Sequence, residues 1–325
     1  MKISVSVVVP TFKRPDLLNR CLEALTAQRF DPTAYEILIV DDAACDDTQC
    51  LVERWSGCVQ ERGHTLRYIP VLGAHGPAAA RNTGWQAAQG ECIAFTDDDC
   101  IPTPDWLTAG VAALVEGVAG LSGRIVVPLD HTPTDYERNA AHLEQAEFVT
   151  ANCFYRRAAL AEVGGFDERF TAAWREDSDL FFTLLERKAK CKHAPEAVVY
   201  HPVRPAPWGI SLRQQRKSMF NALLYKKHSA LYRQRIQAAP PWRYYAIISA
   251  LLLALAGALS GLWPLALTAF CGWLLLTAHF CLQRLRATSH APHHVAEMIM
   301  TSLLIPPLAV YWRLFGAFKF RVLFL

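Results

Sequence analysis

Residues 244–263 carry no charged side chain, and beyond Pro264 residues 265–282 are uncharged again. Nothing else in the chain limits its fold as tightly. Each stretch approaches the ~20 apolar residues that cross a bilayer as a helix. A helix packed in a water-soluble core is normally amphipathic, so two such stretches in succession argue for lipid rather than a buried helix pair. Gly261 and Pro264 lie between them, and the reading is a transmembrane hairpin over residues 244–283. Lys226, Lys227, Arg233, Arg235 and Arg243 precede it and Arg284 and Arg286 follow it, while the turn has no cation. Cations concentrate on the cytoplasmic side, so both flanks are expected there. A third apolar segment, 298–318, is interrupted by Pro306-Pro307 and contains Arg313, with Lys319 and Arg321 beyond. Spanning would carry those cations outward, so residues 284–325 are expected to form an interfacial or re-entrant tail.

The chain of 325 residues leaves room for one catalytic domain ahead of this anchor. Its net charge of +3 gives no sustained positive field, which excludes nucleic acid as the expected partner. The 10 cysteines are scattered without the two-residue spacing of zinc or redox pairs. They suit a reducing compartment. The opening "MKISVSVVVPTFKR" has a short β-branched run that meets Pro10 without a small-residue cleavage site, so it reads as a first strand and not a signal peptide.

Residues 1–205 alternate short apolar runs with helical patterns, the habit of an α/β sheet. Strands are expected at 3–9, 36–40, 66–71 and 92–96, and helices at 15–28, 46–55 and 77–89. Residues 206–243 hold an Arg/Lys-rich linker helix, 211–236, ended by Pro240-Pro241. Ligands of open α/β sheets gather at the carboxyl ends of strands. There stand Asp41-Asp42, Asp97-Asp98-Asp99 and His201, with Arg81-Asn82 on a helix and Glu176-Asp177-Ser178-Asp179 opening another. Three carboxylates in succession repel one another unless a cation intervenes, and Mg²⁺ or Mn²⁺ shared with substrate phosphates is the economical solution. Aspartates are also common in turns and caps, and acids are favoured at helix N-termini. Gly164-Gly165 serves an acceptor-side loop or a plain helix end, and Trp174 a sugar platform or the core.

Taken in order, "VSVVVPTFKR", "EILIVDDAACDDT", "GPAAARNTGWQAAQGECIAFTDDDCIPTPDWL", "ANCFYRRAALAEVGGFDERF" and "REDSDLFFTLLERK" resemble family 2 glycosyltransferases. The resemblance covers residues 3 to about 202. It implies the GT-A fold, a Rossmann-like, mixed but mostly parallel sheet flanked by helices, and an inverting, metal-dependent transfer from a nucleotide sugar. It implies that Pro10, Thr11, Phe12 and Arg14 line the nucleotide, that Asp42 bonds the base and that Arg81 helps hold the donor. Asp97-Asp98-Asp99 correspond to the DxD motif, with Asp98 near the ribose, Asp99 and Asp97 on the metal and His201 as a further ligand. Asp177 corresponds to the general base, with Glu176 beside it.

Gln214-Gln215-Arg216-Lys217 lacks the tryptophan of the signature found in processive synthases. Transfer of a single sugar to a glycolipid or lipid-linked acceptor is therefore expected, with the catalytic domain on the cytoplasmic face of a membrane, such as the bacterial inner membrane. Two alternatives are a polyprenyl-phosphate acceptor, whose anionic oxygen needs no base, and a non-catalytic sugar-binding protein that keeps the fold. A nucleotidyltransferase would show a glycine-rich loop after its first strand, and "PTFKRPD" has no glycine. Ending the chain at Pro240 is expected to release a soluble protein, checked by fractionating cells that express the full and shortened chains.

Overall fold

β-Branched side chains pack well on a pleated surface, and "VSVVVPT" forms strand β1 (Val5–Thr11), buried at every position except Pro10. A computed structural model describes residues 3–324. Helix α1 (Pro15–Thr26) follows, then β2 (Tyr35–Asp41), α2 (Asp46–Gln60), β3 (Thr65–Pro70), α3 (Pro77–Ala87) and β4 (Cys92–Phe95). Pro15 and Pro77 stand at the starts of α1 and α3, where a missing N–H costs nothing. The remaining elements of this part are β5 (Ile101–Pro102), α4 (Trp106–Ala113), β6 (Val118–Val126), α5 (Asp135–Ala141), β7 (Cys153–Arg156), α6 (Arg157–Val163), α7 (Glu176–Glu186) and β8 (Lys190–Tyr200).

The eight strands form one sheet in the order β3-β2-β1-β4-β7-β6-β8-β5. Strands β3, β2, β1 and β4 are mutually parallel, whereas β7 runs antiparallel to both β4 and β6. β6 and β8 are parallel, with a register shift between Gly123 and Arg124. In this register Thr11 pairs with Asp41, and Val8 with Phe95, so β1, β2 and β4 end on one edge of the sheet. The acids that follow those strands are brought together there.

The chain divides into two units. One comprises the residues up to Pro128 together with Ala141–Val203; the other comprises Leu129–Ala140 with everything from Arg204 onward. The segment 129–140, inside the range 1–205 expected for the catalytic domain, belongs with the second unit. Asp135 accepts a bond from Arg284 at 2.7 Å, and the Ser289 N–H donates to the Pro133 carbonyl at 2.8 Å. Residues 204–240 belong there as well, so ending the chain at Pro240 cuts through this unit.

In the second unit the expected single basic helix is replaced by α8 (Ile210–Gln214), a 3₁₀ turn (Gln215–Met219), α9 (Phe220–Lys227) and α10 (Ser229–Arg235). The break between α9 and α10 falls at His228, whose φ of −135° and ψ of 54° are not helical. Then come α11 (Trp242–Leu259), α12 (Trp263–Leu285) and α13 (Pro292–Lys319), all three long and apolar enough to cross a membrane. Ile247, Phe280 and Ile305 form their core, yet 17%, 28% and 28% of the apolar windows are buried, so most of that apolar surface faces outward. Such exposure is untenable in water and natural against lipid. Pro306 and Pro307 lie inside α13 without ending it, contrary to the interruption expected. Proline is tolerated in apolar helices where neighbours satisfy the freed carbonyls.

Gly84 lets α3 lie directly on the sheet. A Cβ there would stand 2.9 Å from Val40 Cγ2 and closer still to Val8, both fully buried. Gly84→Ala is expected to cost about 1–3 kcal/mol through overpacking, whereas Gly57→Ala on α2, with nothing within 4 Å of the added carbon, should be neutral or slightly stabilising; thermal unfolding of the purified variants checks both.

Candidate active site

Thr96, Asp97, Asp98 and Asp99 leave the end of β4, and their side chains take separate partners. Asp98 turns inward, accepting bonds from the Thr11 hydroxyl at 2.8 Å and from Arg14 Nη1 at 3.0 Å. Burial pushes its carboxyl up to about 6, with Asp99 adding to the effect and Arg14 opposing it. Of the residues expected at the nucleotide, Thr11 and Arg14 are therefore occupied in fastening β1 and its following turn to β4. Phe12 is 50% exposed, and Pro10 precedes Thr11 at the end of β1.

Asp97 bonds to Arg81 Nη2 at 2.9 Å, and Arg81 Nη1 reaches Glu176 Oε1 at 2.9 Å. Arg81 is only 3% exposed, and so is Glu176. One guanidinium thus joins the end of β4 to the first residue of α7. A bidentate fork suits this bridge better than an ammonium. Burial, and then the neighbouring Asp177, push the Glu176 carboxyl up to about 7. Glu176 is therefore a fixed partner of Arg81, while the adjacent Asp177 remains partly open to solvent. Asp177 accepts the Ser178 N–H at 2.6 Å, and its carboxyl is raised by burial. Arg175 holds the left-handed conformation, φ 80°, just before this helix, and its guanidinium lies 4.6 Å from the centre of the Trp174 ring. A left-handed backbone at a non-glycine residue is strained, and such strain concentrates at functional sites.

Asp99 Oδ1 lies 3.6 Å from His201 Nε2, and Asp99, Cys100 and His201 offer ligand atoms within 4.8 Å of one another. His201 is placed by its own N–H, which donates to the Val126 carbonyl at 2.8 Å and so continues the β6–β8 ladder. The donor set fits a hard divalent ion: one carboxylate oxygen and one imidazole nitrogen, with positions left for phosphate and water. Burial drives the Cys100 thiol well above its ordinary range, with Asp97 and Asp99 adding to it. The thiol stays protonated and is a poor ligand for such an ion. Asp97, expected on the metal, is bound to Arg81 instead.

The tandem Asp41-Asp42 divides its labour. Asp41 is fully buried and accepts bonds from the N–H groups of Ala43 and Cys45 and from the Tyr68 hydroxyl, at 3.0, 2.8 and 3.0 Å. It builds the turn. Asp42 accepts the Gly76 N–H at 3.0 Å and stands 3.0 Å from His75 Nδ1, fixing the loop before α3.

Asn82 is the residue whose importance the sequence left unassigned. Its carboxamide oxygen accepts from the Phe166 N–H and Trp85 Nε1, both at 2.9 Å, and its nitrogen donates to the Phe166 carbonyl and to Glu168. Gly164, φ 85°, ends α6 as a left-handed cap, the plain helix-end reading. Gly165, φ 74°, is required for a second reason, since a Cβ would come within 2.5 Å of Asn82 Oδ1. The segment leading to Trp174 is thereby pinned to the helix that carries Arg81. The proximity of an Asn-Gly-Gly set separated by eighty residues has no local signature.

The family described as glycosyl transferase family 2 matches residues 6–177, and glycosyl transferase family group 2 matches residues 92–313. The chain is 27% identical over 223 residues to glycosyltransferase AglE of Haloferax volcanii, covering 65% of this chain and 70% of that protein. It is 30% identical over 216 residues to the pre-mycofactocin glycosyltransferase of Mycobacterium tuberculosis, covering 62% of this chain and 43% of that protein. Among solved structures, the mannosyltransferase PcManGT from Pyrobaculum calidifontis, in complex with GDP-Man and Mn²⁺, aligns over 99% of this chain and 88% of its own, at 19% identity and a TM-score of 0.56. That likeness is one of fold, the GT-A arrangement.

Removing the Arg81 bridge would leave Glu176 buried without its cation. Arg81→Met is expected to destabilise the domain by about 3–5 kcal/mol, and adding Glu176→Gln should recover part of the loss; comparison of thermal unfolding across the three variants measures both.

Proposed function

The chain belongs to glycosyl transferase family 2, and from that premise we propose that it moves one sugar from a nucleoside-diphosphate sugar to a hydroxyl of a membrane-associated glycolipid or lipid-linked acceptor, inverting the anomeric centre. The observation that carries this reading is the division between Glu176, locked to Arg81, and Asp177, open to solvent beside it. A general base must be reachable by the proton that it accepts. Asp177 satisfies that condition, and the raised affinity of its partly buried carboxylate for a proton favours the transfer.

The nucleotide is assigned to the edge formed by Pro10, Thr11, Phe12 and Asp42. Phe12 offers the exposed ring on which a base can stack. Arg81 acts by holding Asp97 and the start of α7 in fixed relation, which keeps Asp177 at a constant distance from the donor side. Asp98 fixes Thr11 and Arg14 from beneath. Asp99 and His201 are the residues that would hold a divalent cation, and that ion would stabilise the negative charge left on the departing diphosphate. A Trp174 ring beside Arg175, 37% exposed, lies next to α7 and suits an acceptor sugar's apolar face. The apolar helices α11 and α12 support anchoring at a membrane, and the cations that flank the hairpin support the cytoplasmic face.

Asp177 must be ionised to serve as base, so activity falls as pH drops through its raised pKa. The acid limb of kcat/KM should therefore lie above the ordinary aspartate range, and Asp177→Asn should lose transfer by 100-fold or more, roughly the general-base contribution, while retaining donor binding. Normal turnover in that variant would point to a phosphate acceptor instead. The primary test is donor hydrolysis by the purified full chain over a panel of nucleotide sugars with Mn²⁺, Mg²⁺ or EDTA, compared with Asp99→Ala. Metal-dependent release of nucleoside diphosphate from one donor, absent in Asp99→Ala, is the expected result; nucleotide binding with unchanged metal dependence in that variant would overturn the ligand assignment.

A further inference from the structure

From Arg204 to the end of the chain, Glu297 is the sole side-chain carboxylate, against cations that run from Arg204 to Arg321. The near-neutral net charge of the whole chain conceals this asymmetry. Some of the cations are neutralised within the second unit, as Arg284 is by Asp135. Arg213, Arg216, Lys226, Arg233 and Arg243 are exposed instead, and none has a carboxylate partner among the described residues. Trp208 and Trp242, 56% and 66% exposed, flank the stretch. Aromatic rings and basic side chains together are the composition of a bilayer's headgroup layer.

Helix α13 lies along this same basic stretch. Its Ile305 packs in one cluster with Leu212 of α8. A Cβ on its Gly316 would stand 2.9 Å from Met219 Cα in the 3₁₀ turn, so the two backbones are in contact. Arg313 donates to Gln237 at 3.3 Å, Lys226 donates to the Phe320 carbonyl at 2.9 Å, and Arg216 lies 5.9 Å from the Trp312 ring centre. Thr301, Ser302, Arg313 and Gly316 are buried on this side of α13. On the opposite side Met300, Leu304, Tyr311, Leu314, Phe315 and Phe318 are exposed within about 100° of the helix, and the exposed Ile299 widens this face to about 160°.

These contacts decide between two placements of α13. Were it a third span, α8 and α9 with the exposed Arg213 and Lys226 would be drawn alongside it into hydrocarbon, where cations without a carboxylate are costly. Laid flat, the helix dips its apolar stripe into the acyl boundary and leaves the cations at the phosphates.

We propose that α8–α10 and α13 form one amphipathic layer that lies on an anionic phospholipid surface, and that α11 and α12 alone cross the bilayer. This rests on the reading that the hairpin spans. Fusions of the full chain to green fluorescent protein, which fluoresces only in the cytoplasm, and to alkaline phosphatase, which is active only outside it, are made at each end in a bacterial host. Both ends should report the cytoplasm. In reconstituted bilayers, brominated phosphatidylglycerol should quench the chain's tryptophan fluorescence at least about threefold more than brominated phosphatidylcholine, a preference that salt weakens. The variant Arg213→Gln/Arg216→Gln/Arg233→Gln should bring the ratio close to one. Opposite compartments for the two ends, or equal quenching by the two lipids in the unaltered chain, would overturn the proposal. Recovery of the fusions in the soluble fraction would instead sink the spanning hairpin on which it stands.

Discussion

The catalytic unit is organised about one buried guanidinium. Arg81 stands on α3, takes Asp97 from the end of β4 and Glu176 from the start of α7, and so joins residues that lie 16 and 95 positions away along the chain. Each carboxylate alone would be costly to bury, and together they would repel. The cation makes their proximity stable and thereby fixes where the neighbouring Asp99 and Asp177 are presented. Precision at the reactive groups comes from supports that do not themselves react.

The same division recurs in each acidic pair. Asp41 closes a turn and Asp42 fixes the loop before α3; Asp98 binds β1 to β4 while Asp99 faces His201; Glu176 binds Arg81 while Asp177 stays open. In each pair the more buried member is bonded inside the fold, Asp41 to the N–H groups of its turn and to Tyr68, Asp98 to Thr11 and Arg14, and Glu176 to Arg81. Consecutive residues on an extended or turning chain point in different directions, so doubling an acid supplies one group for structure and one for chemistry.

Much of this unit was legible in the sequence because its cues are local. The β-branched runs, Pro15 and Pro77 at helix starts and acids at strand ends all mark their positions within a few residues. Which acid of each set faces the site came only from the family resemblance and from no local cue, since side-chain direction depends on partners such as Tyr68 or Arg14 that are remote in sequence. The segment 129–140 was read with the catalytic domain because its anchor, Arg284, lies 149 positions from Asp135. Helix α13 was misread as interrupted because Pro306-Pro307 is a strong breaker in isolation and a tolerated defect when its freed carbonyls find partners.

The insertion of β7 between β4 and β6 has a consequence for biosynthesis. When residue 128 has been made, β4 is an open edge whose N–H and C=O groups await a partner, and the chain must first pass through 129–140 before β7 arrives. Open edges are templates for wrong pairing. The intervening segment cannot settle either, because Arg284 and Ser289, to which it bonds, are synthesised near the end. All eight strands are made once β8 is complete, so the sheet can close before the membrane helices exist, and a chain released in between would carry a finished sheet with an acidic strap still lacking its cation.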